Sequence, residues 1–359
     1  MSHSNDHGGN IFSVARTLGV SPDAITDFSA SINPLGLSPI IRNTLISSID
    51  LLVHYPDSSH RDLKLELARH HNLTPENFAI ANGSTGLIYH LPAMLSGRKA
   101  LIVSPSFSEY ARALSQHEWE IQHFILSPAS NFSIDIDRLA TKLAEGVDAL
   151  FLCNPGNPSG TLYPRRVIEQ IYSICVETGT FLVLDEAFMD FCEEASAKHF
   201  IVNTDNSIIL RSMTKFFGIP GLRLGYSISN ADLAEQMDSM DGPWSVNSMA
   251  LVAGVAALED IEHNSRTIKF VRHEKRILIE KLEEFPQFRV YPSGANFLLV
   301  EIKDNTGAKK LKDQLLAHHH ILIRNCSDFR GLSASFFRIA VRTSEENQRL
   351  LDCLRDILK

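Results

Sequence analysis

Short apolar runs, separated by stretches long enough to form a helix, constrain the fold of this chain more than any other feature of its sequence. The runs span residues 100–103, 149–153, 181–184, 208–210 and 222–227. A strand that is covered by helices on both faces is apolar throughout, whereas a strand with one face in water alternates apolar and polar residues. The pattern therefore predicts an α/β fold in which buried strands form a mostly parallel central sheet.

The pattern changes beyond about residue 245. A long helical region, 246–284, precedes strand candidates at 295–302, 321–323 and 336–341. A last amphipathic helix follows Thr343, where the sequence TSEE resembles a capping box. We expect three parts: an N-terminal segment, 1–40, that joins the small domain and the active site; a large domain, 41–245; and a small C-terminal α+β domain, 246–359.

Composition and charge exclude several classes of protein. Hydrophobic residues make up 44% and charged residues 21%, which is typical of soluble globular proteins. The net charge is −8 and Lys and Arg form no dense run, so nucleic acid is a poor candidate partner. No apolar stretch is long enough for a membrane span, and the first ten residues lack the features of a secretory signal. The five cysteines form no CxxC pair, so we expect a cytoplasmic protein and assign no metal.

The first candidate catalytic residue is a lysine just after one of the apolar runs. Lys215 follows Ser212 and Thr214, and Arg223 comes eight positions later. A lysine that binds a carbonyl covalently must be held rigidly and desolvated enough to be nucleophilic, and this position meets both needs. Taken alone, such a lysine is more often a solvated loop residue.

Three further segments place polar groups at the ends of runs. Asp185 directly follows the run 181–184, at the strand end where open α/β sheets bind ligands, and a buried carboxylate there keeps a pyridine nitrogen protonated. Asn157 lies in the turn-rich segment 154–160, and Gly83 and Ser84 open an apolar helix whose free N–H groups suit a phosphate. The alternatives are a helix cap at Asp185, a plain loop around Asn157 and an N-cap at Ser84.

Two arginines interrupt apolar runs near the C-terminus. Arg324 follows the run 321–323, and Arg338 lies within 336–341. A buried guanidinium is costly without an anion, and its planar fork binds phosphate and carboxylate through two hydrogen bonds. The alternative is a structural ion pair.

Together, in this order and spacing, the motifs resemble the fold-type-I pyridoxal-phosphate enzymes of the class-II aminotransferase family, from Tyr55 to Arg338. The resemblance implies that pyridoxal 5'-phosphate is the cofactor, that Lys215 holds it covalently and that Asp185 pairs with its pyridine nitrogen. Asn157 would bind the ring hydroxyl and Phe107 would stack on the ring. The residues implied to bind the cofactor phosphate are Gly83, Ser84, Ser212, Thr214 and Arg223. Tyr55 would reach the active site of a neighbouring subunit, which implies a homodimer.

Within this superfamily the chain resembles the histidinol-phosphate aminotransferase branch and, more narrowly, the threonine-phosphate decarboxylases of cobalamin biosynthesis. The narrower resemblance rests on segments 7–10 (HGGN), 27–36 (DFSASINPLG) and 243–247 (PWSVN), and on Phe107 and Phe188 where the transaminases often have tyrosine. Ser31 stands where the decarboxylases commonly have asparagine. The residues implied to bind the substrate are His7, Gly8, Ser31, Asn157, Arg324 and Arg338.

The resemblance implies decarboxylation of L-threonine O-3-phosphate to (R)-1-amino-2-propanol O-phosphate, with Lys215 as the proton donor to Cα. Two alternatives stay open. The first is a histidinol-phosphate-type aminotransferase, which shares every cofactor residue. The second is decarboxylation of L-serine O-phosphate, because a pocket discriminates one methyl group by only about 1–3 kcal/mol. A non-enzymatic regulator on the same fold would need a DNA-binding module, for which the sequence has no spare length.

Overall fold

The computed structural model describes residues 8–304 and 307–358 of the chain. The strands are β1 Thr26–Asp27, β2 Phe78–Ala81, β3 Lys99–Ser104, β4 Glu120–Ile125, β5 Ala149–Cys153, β6 Phe181–Asp185, β7 Ser207–Ser212, β8 Gly225–Ile228, β9 Phe288–Val290, β10 Phe297–Ile302, β11 Ile321–Leu322, β12 Arg324–Asn325 and β13 Phe336–Ala340. The helices are α1 Ile11–Leu18, α2 Pro39–Ser47, α3 Arg61–His71, α4 Gly83–Met94, α5 Glu109–Gln116, α6 Ile136–Leu143, α7 Arg165–Thr178, α8 Lys198–Ile201, α9 Met213–Phe216, α10 Ala231–Asp238, α11 Ser248–Glu259, α12 Ile261–Glu283, α13 Ala308–His319 and α14 Ser344–Ile357. Within these ranges no helix combines the length and the apolar character that crossing a bilayer requires.

The large sheet has the strand order β2-β8-β7-β6-β5-β3-β4. All neighbouring pairs from β7 to β4 are parallel, and only β8 runs antiparallel to its two neighbours, so the prediction of a mostly parallel sheet is confirmed. Its central strands are buried on both faces. Leu150 and Leu152 pack into one apolar cluster, whereas Phe151 between them packs into another on the opposite face. This double burial explains why the runs are apolar without interruption.

Three elements differ from the sequence-based expectation. The run 222–227 becomes a strand only at Gly225, because Leu222 lies in a single 3-10 turn and Arg223 has a left-handed φ of +58°. The helical region 246–284 is divided at Asp260, whose carboxylate accepts a hydrogen bond from the backbone N–H of His263 and caps α12. Strand β4 lies at the edge of the sheet and is partly exposed, so its sequence lacks a continuous apolar run.

A second, antiparallel sheet with the order β12-β13-β10-β9 forms the smaller α+β part. It packs against α13, α14 and the second half of α12, and the capping box at Thr343 is present. The N-terminal segment joins this part through Phe28, a member of its core, and through the parallel pair β1–β11. The division of the chain at residue 245 stays a prediction; α11, through Ala250 and Ala253, packs with the core of the large sheet.

Candidate active site

A cavity of about 860 Å³ lies at the carboxyl ends of the large-sheet strands, facing the smaller sheet and the N-terminal segment. It brings together most of the residues predicted from the sequence. Those that line it are Gly8, Ser31, Phe107, Asn157, Thr214, Lys215, Arg223, Arg324 and Arg338. His7, which was also predicted to bind substrate, lies outside the described residues.

Lys215 lies in the short helix α9, directly after β7. Its Nζ donates to Thr214 Oγ1 at 2.7 Å and approaches Ser212 Oγ at 3.5 Å, and its carbonyl accepts from the backbone N–H of Asn33 at 2.9 Å. Burial lowers the pKa of Lys215 to about 8, and Arg223 adds to this shift, while Asp185 opposes it. A large fraction of the amine is therefore neutral near pH 8, as a nucleophile requires.

Asp185 ends β6 and is almost completely buried. Its Oδ1 accepts from the backbone N–H of Ala187 at 2.9 Å, and its Oδ2 accepts from the Tyr110 hydroxyl. Burial raises the pKa of Asp185, and the hydrogen bond from Tyr110 is the largest effect in the opposite direction. Tyr110 was missed by the sequence analysis. It lies three residues after Phe107, but nothing in that spacing indicates a partner 75 residues away.

Two glycines let the start of α4 approach β8 and Arg223 closely. A Cβ on Gly83, which has a φ of +77°, would lie 2.7 Å from Arg223 Nη2. A Cβ on Gly225 would lie 2.3 Å from the backbone nitrogen of Ser84. Asn82, and not Ser84, is the N-cap residue of α4, and it makes no capping hydrogen bond through its side chain, so the first N–H groups of this helix are left for a ligand.

The hydroxyl groups of Ser212 and Thr214 lie 2.7 Å apart, next to Lys215 Nζ. A guanidinium, two hydroxyl groups and a helix N-terminus near the lysine are the groups that bind a phosphate. The buried carboxylate of Asp185 is the kind of group that pairs with a pyridine nitrogen, and Phe107 adds an apolar surface to the cavity. The residues present therefore fit pyridoxal phosphate.

Arg324 and Arg338 face each other as register partners on β12 and β13. Arg338 donates from Nη1 to Asn157 Oδ1 at 2.5 Å and from Nη2 to the carbonyl of Ser29 at 2.8 Å. Its buried Nε has no hydrogen-bond partner among the described residues, and burial lowers the pKa of Arg338 to about 10. Arg324 instead forms an ion pair with Asp328 at 2.6 Å, so the structural ion pair considered as an alternative is present at this arginine.

The N-terminal segment, through Gly8 and Ser31, forms part of the cavity wall. A Cβ on Gly8 would lie 2.1 Å from the carbonyl oxygen of Ser29, so no side chain fits at this position. The Oγ of Ser31 is buried without a hydrogen-bond partner among the described residues, and Ser31 lines the cavity. Ser31 therefore presents an unused hydroxyl group, which is what a polar substrate needs.

Tyr55 does not line this cavity in the single chain. The residue is 78% exposed, and its ring stacks on Trp244 with the ring centroids 4.4 Å apart. It lies on a separate groove whose walls include Leu51, Leu251 and Val255. The role assigned to Tyr55 therefore requires a second subunit and stays a prediction.

The sequence profile of the family "Aminotransferase class I and II" matches residues 24–354, and the chain belongs to this family of enzymes, whose cofactor is pyridoxal phosphate. A threonine-phosphate decarboxylase from Salmonella typhimurium is 39% identical over 98% of this chain and 96% of the relative. The structure of a histidinol-phosphate aminotransferase from Clostridium acetobutylicum superimposes with a TM-score of 0.86 at 30% identity, covering 92% of this chain and 98% of that one. An L-threonine-O-3-phosphate decarboxylase from Porphyromonas gingivalis gives a TM-score of 0.80 at 28% identity, with the same two coverages.

Proposed function

We propose that this chain decarboxylates L-threonine O-3-phosphate to (R)-1-amino-2-propanol O-phosphate, for cobalamin biosynthesis. Similarity over nearly the full length to a threonine-phosphate decarboxylase supports this reaction. The observation that carries it is the pair of buried arginines, Arg324 and Arg338, in the same cavity as Lys215. A substrate with a carboxylate and a phosphate matches two guanidinium groups.

When bound, pyridoxal phosphate supplies an electron sink for the electron pair left at Cα as carbon dioxide departs. Asp185, fixed by Ala187 and Tyr110, would hold the proton on the ring nitrogen. Lys215 would hold a proton on Nζ and deliver it to Cα. Its lowered pKa makes this transfer favourable near neutral pH.

The residues that hold the substrate would decide which bond to Cα breaks, because they set the orientation of the substrate. Arg324, Arg338, Ser31 and Gly8 line the cavity together. We propose that they bind the two anionic groups and so orient the substrate for loss of its carboxylate. Phe188, whose ring lies 5.8 Å from Lys215 Nζ, adds an apolar wall without a hydroxyl group.

We further propose that the enzyme is a cytoplasmic homodimer. Tyr55 and Trp244 are exposed, and the groove beside them is lined by apolar side chains of α11. A second subunit that covered this surface would bring Tyr55 to the neighbouring active site. The large 41–245 part then carries the cofactor, and the smaller part, with residues 1–40, carries the substrate-binding groups.

The test is a pair of assays on purified enzyme loaded with the cofactor. One contains L-threonine O-3-phosphate and follows carbon dioxide release and the amine product. The other contains L-histidinol phosphate with 2-oxoglutarate and follows glutamate. Decarboxylation without a keto acid supports the proposal, and glutamate formation alone refutes it in favour of a transaminase. A third assay, with L-serine O-phosphate, measures the selectivity for the substrate methyl group.

A further inference from the structure

An ion pair between Arg324 and Asp328 lies in the wall of the substrate cavity. Arg324 Nη2 is 2.6 Å from Asp328 Oδ2, and both residues line the cavity. The side chain of Arg324 is only 6% exposed, whereas that of Asp328 is 52% exposed. One partner is therefore fixed in the wall, and the other is free to rotate into solvent.

The facing arginine has a different environment. The acceptors of Arg338, on Asn157 and Ser29, are uncharged, and no carboxylate of the described chain lies within ion-pair distance of it. Two guanidinium groups at facing positions repel each other in a buried site. Asp328 offsets this repulsion at Arg324 while the charge of Arg338 stays without a contacting counterion.

We propose that Asp328 is an internal counterion that occupies Arg324 in the ligand-free enzyme, and that the phosphate of the substrate displaces it. The proposal rests on the phosphorylated substrate proposed above. It also divides the two arginines: Arg324 binds the phosphate and Arg338 binds the carboxylate.

Arg324 is assigned to the phosphate because a ligand that binds this arginine must displace Asp328. Asp328 is tethered four residues from Arg324, so its effective concentration at the guanidinium exceeds that of a free carboxylate with the same charge. A phosphate carries a charge of about −1.5 to −2 at pH 7 and a third acceptor oxygen, so it replaces Asp328 where a single carboxylate does not. Asp328 thereby keeps small monoanions away from Arg324 and sets the affinity of the site for phosphate.

The experiment measures the binding of inorganic phosphate to the holoenzyme by calorimetry. In the holoenzyme the phosphate of the cofactor fills the other phosphate site, near Arg223, so inorganic phosphate reports on the substrate cavity. Asp328→Asn removes the internal competitor while keeping the size of the side chain. We expect its dissociation constant for phosphate to fall about tenfold, which is about 1.4 kcal/mol. The KM for L-threonine O-3-phosphate should fall as well.

Two variants separate this role from a purely structural one. Asp313→Asn breaks an exposed ion pair with Lys309 in the same part of the chain and should leave phosphate binding unchanged. Adding Arg324→Gln to Asp328→Asn should abolish the tighter binding, because the guanidinium that gained the phosphate is gone. The melting temperature of Asp328→Asn should fall in phosphate-free buffer and recover with phosphate more than that of the wild type does.

An unchanged or weaker affinity of Asp328→Asn for phosphate overturns the proposal. So does tighter binding that persists in the double variant. The outcome is independent of turnover. If phosphate binds tenfold more tightly but the enzyme does not decarboxylate the phosphorylated amino acid, the counterion role stands and the proposed reaction fails. If the enzyme decarboxylates the phosphorylated amino acid but Asp328→Asn binds phosphate no more tightly than the wild type, the proposed reaction stands and the counterion role fails.

Discussion

Lys215 is the residue whose ionisation should control loading of the cofactor. Burial lowers its pKa to about 8, and only the neutral amine attacks an aldehyde. Since protonation removes the nucleophile, the rate of covalent pyridoxal phosphate uptake should rise about tenfold per pH unit below pH 8 and level off above it. The measurement is borohydride reduction at timed intervals, followed by mass spectrometry of the peptide containing Lys215.

Lys215→Ala is the control for this experiment, and it should take up no reducible label and lose turnover while it keeps its fold. The interpretation of the buried amine is wrong if the uptake rate shows no change of slope between about pH 7 and 9.

Tyr110 should act on the cofactor through Asp185. Tyr110→Phe removes one of the two hydrogen bonds to a buried carboxylate, which typically costs about 1–2 kcal/mol. We expect the dissociation constant for pyridoxal phosphate, measured by titration of the apoenzyme, to rise about tenfold. Tyr163→Phe is the matched control, since it loses one buried hydrogen bond, to the carbonyl of Phe132. Equal behaviour of the two variants would contradict a role for Tyr110 at the cofactor.

The site residues that the sequence predicted and the contacts that it did not predict differ in a physical way. Lys215 and Asp185 each follow an apolar run, so the sheet topology alone places them at the ligand-binding edge. Tyr110 and Asp328 derive their importance from what they contact. Tyr110, in α5, contacts Asp185 at the end of β6, and nothing in the sequence distinguishes the exposed Asp328 from an ordinary surface residue.

At the level of elements, a buried ionic network fixes the ends of β6 and β7 behind the active site. Arg211, fully buried on β7, contacts Glu186 at 3.1 Å and Glu193 at 2.8 Å. Arg211→Met would leave buried carboxylates without their counterion, so we expect the free energy of unfolding to fall by about 3–5 kcal/mol. Urea unfolding of the apoenzyme measures this.

Arg276→Met serves as the comparison, because it removes an exposed pair with Glu280 in α12. Such pairs contribute about 0.5 kcal/mol or less. A loss in Arg211→Met as small as that in Arg276→Met would show that the network does not stabilise the strands.

The accuracy of the sequence-based elements follows their burial. Central strands such as β5 and β6 were found almost to the residue, because burial on both faces leaves a continuous apolar run. The edge strand β4 is partly exposed and gives no such run. Strand β2 is apolar throughout and buried, but its four residues, two of them alanines, make a short run that the sequence analysis did not single out. The break at Asp260 depends on a side-chain cap whose sequence signal lies inside an otherwise helical pattern.

The arrangement of the whole molecule could be predicted only in outline. The two sheets were expected, but α11 packs with the large core although it follows the predicted boundary at residue 245. The reason is that α11 is nearly uniformly small and apolar, so its sequence fits either core equally well. The link through β1 and β11 joins residues almost 300 positions apart, which no local pattern encodes.

Assembly is the prediction that belongs to the whole molecule. The segment 49–53 exposes Ile49, Leu51, Leu52 and Val53 beside Tyr55, and an apolar surface of this kind marks an interface. We expect a homodimer by light scattering after size-exclusion chromatography. Val53→Asp should shift it towards the monomer and weaken cofactor binding, since a charge buried at the interface is unpaired and Tyr55 no longer reaches the neighbouring site.

The matched control is Val176→Asp, at an exposed valine of α7 that lies outside this surface, and it should leave both the mass and the cofactor affinity unchanged. Tyr55→Phe separates the two effects. It should keep the dimer, because its ring still stacks on Trp244, and yet release pyridoxal phosphate more easily. A monomeric wild-type enzyme with full activity would contradict the shared active site, because Tyr55 then has no neighbouring cofactor to bind.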